Sequence, residues 1–282
     1  MANRLHRSIV SLVRRFQRSG RWQRVTPSTA GSKTVSTESS QRDHYDAIAS
    51  QYEAHYDDAA SQRYRDSFIN DAMFAGILLQ DTQVLEAMCG SGQTTRYLVG
   101  RGARVTGLDI SARQVEAFER RWAGCRGVRA SILESDLDSD SFDCVVVVGG
   151  LHHVHPYVKE AVSEIHRLLK VGGYFCFMEP HARSFPDRIR QFWYKRDPLF
   201  NDNEAAIDVA RLKRDFADEF TFRRESYRGN LAYLFVLNSL VFRAPLSLKR
   251  AYSPALLRIE SVLQPFQRRS TSCFAVCQWQ KK

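Results

Sequence analysis

No CxxC pair and no His/Cys cluster at zinc-like spacing occurs in this chain of 282 residues, whose six cysteines (Cys89, Cys125, Cys144, Cys176, Cys273 and Cys277) are scattered through apolar segments. That pattern excludes a zinc ribbon or a disulfide framework and reads as buried, reduced thiols in a reducing compartment. No GxSxG elbow is present, which removes the α/β-hydrolase reading. The apolar run LAYLFVLNSLVF, 231–242, has twelve residues where a bilayer span needs about 20. A large excess of positive charge is also missing from most of the chain. Of 41 Lys/Arg and 31 Asp/Glu, residues 1–42 hold nine and one, leaving 32 and 30 for the remainder. A nearly balanced body, without an Asn-Pro-Pro-aromatic signature for attack by a base amine, gives no expectation of nucleic acid as a partner.

What is present is most concentrated at 83–111. QVLEAMCGSGQTTRYLV followed by RVTGLDIS reads as strand, glycine turn, helix, strand and acid. Gly90 and Gly92 allow a sharp turn and close approach of a ligand, and Asp109 at the tip of the second strand can accept from both hydroxyls of a ribose. Two cofactors fit such a unit, a nicotinamide dinucleotide and S-adenosylmethionine. A dinucleotide turn needs a third glycine where Thr95 stands, and its pyrophosphate would meet Glu86, whereas a carboxylate suits the ammonium end of the methyl donor. The spacing favours S-adenosylmethionine, and the chemistry requires no metal.

VLEAMCGSG, VTGLDIS, SFDCVVVVGGLHHV and LLKVGGYFCFMEP together resemble the class I S-adenosylmethionine-dependent methyltransferases, in particular the small-molecule branch with the ubiquinone and menaquinone methyltransferases. The resemblance covers roughly 45–180. It implies a doubly wound, mostly parallel, seven-stranded α/β sheet of Rossmann-like type with a helical insertion before the last strand. It also implies cofactor contacts from Tyr52, Glu86, Gly90, Ser91, Gly92, Asp109, Ile110 and Gly149, with Ser131 and the Ile132 backbone near the adenine, or a shifted Glu134 or Asp136 in their stead. Two departures stand out: Met88 replaces the usual first glycine, and Ser131 falls where the family has an acid.

Alternating strands and helices place the third strand at 128–133, the fourth at 142–148 and the fifth at 174–178, with LHHVHP opening a helix that runs to Leu169. Segments 220–227 and 272–280 read as the last two strands. His152 and His153 follow the fourth strand at its carboxyl end, where ligands bind in open α/β sheets, and are candidate bases for removing an acceptor proton. Glu179 and His181 follow the fifth strand and are candidates for touching the acceptor. Packing and helix capping are the competing roles for both histidines.

Residues 4–18 place Leu5, Ile9, Leu12 and Phe16 on one helical face and arginines on the other. With the Ser/Thr-rich stretch after it, this basic segment reads as a membrane-surface anchor, a mitochondrial presequence or an inert tail. The domain reading is a tail and linker at 1–42 and a methyltransferase domain at 43–282. Its cofactor core is 43–180, with substrate-side or lid segments at 181–219 and 229–270. In 201–216, Asn201 to Asn203 read as helix caps. The run at 231–242 reads as a lid, a membrane contact or a dimer contact. The expectation is a cytoplasmic enzyme, peripheral on an anionic membrane, or a matrix enzyme after presequence removal. It methylates a small, apolar or lipid-linked acceptor, at oxygen in preference to carbon, and a homodimer fits. A sugar or polysaccharide acceptor and a non-catalytic assembly factor are the rival readings.

Overall fold

Along β4 (Phe142–Val148) side chains alternate between two covered faces, so Val145, Val146 and Val147 are all fully buried. A strand continuous in β-branched residues needs cover on both sides, and the computed structural model, which describes residues 56–194, 205–239 and 244–282, supplies it. Beside β4 lie β1 (Gln83–Ala87), β2 (Arg104–Asp109) and β3 (Arg126–Arg129) on one side. On the other are β5 (Leu169–Pro180), β7 (Phe274–Lys281) and β6 (Phe220–Arg228), in the order β3-β2-β1-β4-β5-β7-β6. The first five strands pair in parallel and β7 is antiparallel to both neighbours.

The helices divide between the faces. On one, Val84, Val146, Cys176 and Val276 meet Tyr64, Ile69 and Met73. These three belong to α1, which starts at Ala59–Tyr64, widens through a π-helical turn at Arg65–Asn70 and closes at Asp71–Met73. On the other, Leu85, Val145, Val147 and Phe177 meet Ala161, Ile165 and Leu168 of α4 (Val158–Leu168). Trp279 closes this face, with its ring 5.0 Å from Phe177 in edge geometry. Helices α2 (Thr95–Val99) and α3 (Ala112–Arg121) follow β1 and β2. Next come α5 (Phe185–Tyr194), α6 (Val209–Asp215) and α7 (Leu246–Leu263), the last lying in the stretch between β6 and β7. All six cysteines are unpaired; four are buried and Cys125 and Cys273 half-buried.

Three expectations need correction. The third strand ends at Arg129, not at 133, because the Ser131 hydroxyl accepts from the Leu133 N–H at 3.1 Å and turns the chain. LHHVHP does not open a long helix: a single 3₁₀ turn, Leu151–His153, is pinned by Glu179, and α4 starts only at Val158. The cap of α6 is Asp208, which accepts from the Arg211 N–H at 3.2 Å. The asparagines at 201–203, the basic segment at 4–18 and Tyr52 lie outside the described residues.

Run 231–242 is described to Ser239. Its Ala232, Val236 and Leu237 are buried against α1, where Tyr56 Oη donates to Asn238 Oδ1 at 3.1 Å.

Candidate active site

The turn after β1 is held from beneath by Glu86. Its carboxylate, 4% exposed, accepts from the Thr94 N–H at 3.0 Å and from the Thr95 hydroxyl. Burial pushes Glu86 up to about 7 against the pull of those donors and of Arg65. Glu86 therefore fixes the shape of the glycine turn, and Thr95, where a dinucleotide site needs glycine, supplies one of its anchors.

Gly90 and Gly92 both have positive φ, +53° and +83°. A Cβ on Gly92 would stand 2.8 Å from Phe118 and collide with Trp122, whose Nε1 donates to the Ser91 carbonyl at 3.0 Å. The bareness of Gly92 thus makes room for the protein's own rings, while a Cβ on Gly90 would meet nothing nearer than Gln114 Oε1 at 3.9 Å. Met88, in the position of the usual first glycine, is held at φ +56°. Its sulfur packs on Gly150, where a Cβ would lie 2.8 Å from Sδ. That contact brings the turn after β4 against the turn after β1.

Asp109 ends β2 half-buried, with Oδ2 accepting from the Gly90 N–H and Oδ1 from the Ser111 N–H, both at 2.9 Å. The carboxylate is thereby oriented at the rim of the glycine turn. Ile110 beside it is half-buried. Ser131 lies in the turn past β3 and the Ile132 side chain is in the core with Leu108, which leaves its backbone for a ligand. Of the acids weighed as substitutes for Ser131, Glu134 closes that turn by donating its N–H to the Ser131 carbonyl at 3.3 Å, and Asp136 sits at φ +54°.

Gly149, at φ +66°, begins the turn that carries the two histidines, and its N–H donates to the Met178 carbonyl at 2.8 Å. Glu179 organises this turn. Its Oε1 accepts from the N–H groups of Gly150 and Leu151 at 2.8 and 2.7 Å, and its Oε2 lies 2.8 Å from His152 Nδ1. Burial, outweighing these donors, pushes Glu179 up to about 7. The rings of His152 and His153 are 3.8 Å apart between centroids.

The expected acceptor contacts Glu179 and His181 both lie in the interior. Glu179 is fully buried with both oxygens engaged beneath the histidine turn. His181 is 1% exposed, lies edge-on to Tyr227 at 4.6 Å, and has its pKa lowered to about 4, first by burial and then by Arg269.

A residue that the sequence did not mark completes the site. Arg65, in the π-helical turn of α1, is 5% exposed, donates to the Gln93 side chain beside the glycine turn and lies 5.6 Å over the Tyr56 ring. Its Nε has no hydrogen-bond partner. A buried guanidinium with one N–H unsatisfied, beside the glycine turn, is a ready site for a carboxylate. Its only signal in sequence is its place in the segment before β1, which it shares with Arg63.

The family model for a methyltransferase domain matches residues 85–177. Over 141 residues the chain is 35% identical to malonyl-[acyl-carrier protein] O-methyltransferase of Enterobacter lignolyticus, covering 48% of this chain and 55% of that one. Demethylmenaquinone methyltransferase of Staphylococcus epidermidis is 31% identical over 111 residues, covering 37% and 46%. The chain therefore spans about half the length of the curated relatives it matches. In structure, magnesium protoporphyrin IX methyltransferase of Synechocystis shares the fold at a TM-score of 0.57 and 13% identity, over 91% of this chain and 100% of that one. Residues 85–177 thus form a methyltransferase domain, and the strand order is that of the fold shared with the S-adenosylmethionine-dependent methyltransferases.

Proposed function

We propose that the protein transfers the methyl group of S-adenosylmethionine to a small, apolar or lipid-linked acceptor, at an oxygen in preference to a carbon, with His152 as the base. The observation that carries this reading is the Glu179–His152 pair, set directly after β4 and packed through Gly150 onto the glycine turn. Relatives named for malonyl-[acyl-carrier protein] and for demethylmenaquinone support the acceptor class.

The residues fit the donor. Asp109, oriented by two backbone N–H groups, would take the ribose hydroxyls, Gly90 would let the chain approach, and Arg65 would hold the carboxylate of the methionine end. Ser91, Ile110, Ser131, the Ile132 backbone and Gly149 would line the rest. When bound, S-adenosylmethionine supplies an electrophilic methyl carbon on a sulfonium. The chain's own work is to hold the acceptor oxygen in line, keep water out and take the proton; alignment alone contributes roughly 7–11 kcal/mol in favourable cases. With Nδ1 engaged by a Glu179 carboxylate, His152 would take the acceptor proton at Nε2, as the carboxylate fixes the tautomer.

The test is transfer of isotopically labelled methyl from the donor into separated lipid and aqueous extracts, alongside calorimetry with S-adenosylhomocysteine and NAD. Label in a lipid-soluble product bearing a new O-methyl group is expected. Binding of NAD without binding of S-adenosylhomocysteine would overturn the reading.

A further inference from the structure

Helix α7 buries two charged side chains and exposes a row of apolar ones. The stripe it buries consists of Lys249, Ser253, Leu257 and Glu260, at intervals of four, four and three residues. Two of these are charges, each satisfied by a partner on the body. Lys249 Nζ pairs with Asp58 and lies 2.7 Å from Ser61 Oγ. Glu260 accepts from Tyr64 Oη at 3.0 Å and from the Asn230 and Ala232 N–H groups at 2.9 Å. Leu257 joins that buried stripe and Tyr252 and Leu256 pack beside it, but four other apolar side chains point the other way: Ile259 is 40% exposed, Val262 66%, Leu263 40% and Phe266, in the turn that follows, 76%. Their spacing of three, four and seven puts them on one helical face. A soluble surface helix has the reverse arrangement, so this face is shaped for something outside the domain.

A second apolar strip lies beside it. The Phe185 N–H at the start of α5 donates to the Ser270 carbonyl at 2.8 Å, four residues past Phe266. On α5, Phe185 and Ile189 are 65% and 52% exposed, one turn apart. The exposed charge on these segments has one sign, Asp187 of α5 being buried and paired with Arg190. Arg188, Arg250, Arg258, Arg268 and Arg269 are exposed, and Glu260, the one acid between 226 and 282, is buried. Two copies of so basic a face would repel each other, whereas an anionic surface complements it. No helix among the described residues is long and apolar enough to cross a membrane, so the face suits the interface and not the bilayer core.

We propose that Phe185 and Ile189 of α5, with Ile259, Val262, Leu263 and Phe266 of α7 and its turn, form a docking surface for an anionic phospholipid bilayer. This face is distinct in sequence from the basic segment at 4–18 and from the run at 231–239. The face needs no assumption about the reaction.

The experiment uses the full chain with vesicles of phosphatidylcholine, with and without phosphatidylglycerol. Hydrogen–deuterium exchange is read peptide by peptide, and calorimetry with S-adenosylhomocysteine runs in parallel. Slowed exchange in peptides covering 185–194 and 256–270, only with phosphatidylglycerol present, is expected. The double variant Phe185→Ser, Phe266→Ser changes two exposed positions and should weaken vesicle binding by about tenfold or more with unchanged S-adenosylhomocysteine affinity. Protection confined to 1–42, or vesicle binding unaltered in the double variant, would overturn the proposal. So would protection of the same peptides without vesicles in a protein that sediments as a dimer, which would assign the face to a second copy.

Discussion

His152 Nδ1 and Glu179 Oε2 lie 2.8 Å apart, and the other oxygen of the same carboxylate accepts the N–H groups of Gly150 and Leu151. One buried acid therefore sets both the backbone of the turn and the face that the imidazole presents. Glu179 is a positioning residue, and a neutral isostere separates its two tasks. In Glu179→Gln the Oε1 atom can still accept both backbone N–H groups, but the amide nitrogen would donate to His152 Nδ1 and leave the proton on Nε2. Expected is a fall in kcat on the order of 100-fold or more, with S-adenosylhomocysteine affinity within about threefold of wild type, and a similar fall for His152→Ala. Steady-state kinetics with calorimetry decide it. Full turnover in both variants would remove His152 as the base.

The same substitution has a signature in stability. Burial holds Glu179 up near 7, whereas an unfolded glutamate titrates at about 4.3. Between those values the folded protein keeps a proton that the unfolded chain has lost. Glu179 therefore lowers stability as pH rises from about 4.5 to about 7, and its effect is constant above. Glu86, also near 7, acts in the same direction, while His181, with its pKa lowered to about 4, acts in the opposite one between about 4 and 6.5. The difference between variant and wild type isolates Glu179. Glu179→Gln should gain on the order of 1–3 kcal/mol relative to wild type between pH 5 and pH 7.5, measured as urea midpoints. A pH-independent difference would mean that the group ionises with an ordinary pKa.

Arg65→Met should weaken S-adenosylhomocysteine by about tenfold to a hundredfold, because a charge-assisted pair with the methionine carboxylate is worth roughly 1.5–3 kcal/mol. Adenosine, which has no carboxylate, should bind the variant and wild type alike. Equal losses for both ligands would point to collapse of the turn through Gln93, not to a lost carboxylate clamp.

Asp109→Ala should weaken S-adenosylhomocysteine by a similar factor, and adenosine with it, since the ribose is common to both. Its carboxylate also holds the Gly90 and Ser111 N–H groups, so Asp109→Asn, which can still accept from one of them, should fold closer to wild type. Calorimetry with the two ligands gives the contrast with Arg65.

Local signals make the glycine turn and the strand tips legible and leave their distant partners dark. Gly90, Asp109 and the valines of β4 announce themselves because turn chemistry, strand tips and covered strands each leave a mark within a few residues. Arg65 does not, since its meaning lies in Gln93, 28 positions on. Glu179 was visible at a strand end but misdirected, because nothing local says that Gly150, Leu151 and His152 will close over it. The buried charges of α7 are hidden for the same reason. Lys249 and Glu260 read as solvent-facing until Asp58 and Tyr64, nearly 200 residues earlier in the chain, appear beside them. β3 is shorter than its sequence suggests because the Ser131 hydroxyl bends the chain.

Met88 offers the sharpest check on the glycine turn itself. A left-handed backbone costs a residue with a Cβ roughly 1–2 kcal/mol, and Met88 sits at φ +56° with its sulfur packed on Gly150. Met88→Ala loses the sulfur contact and keeps the strain. Met88→Gly loses slightly more side chain but removes the strain. Glycine should therefore be the more stable of the two by about 1 kcal/mol, the reverse of the order at an ordinary helix or strand position, where glycine is worse by roughly 0.5–1 kcal/mol. Urea unfolding of the two variants measures the sign directly. If Met88→Ala proves the more stable, the turn after β1 does not hold this residue in the left-handed region, and the packing of Met88 on Gly150 that joins the two halves of the site has been misread.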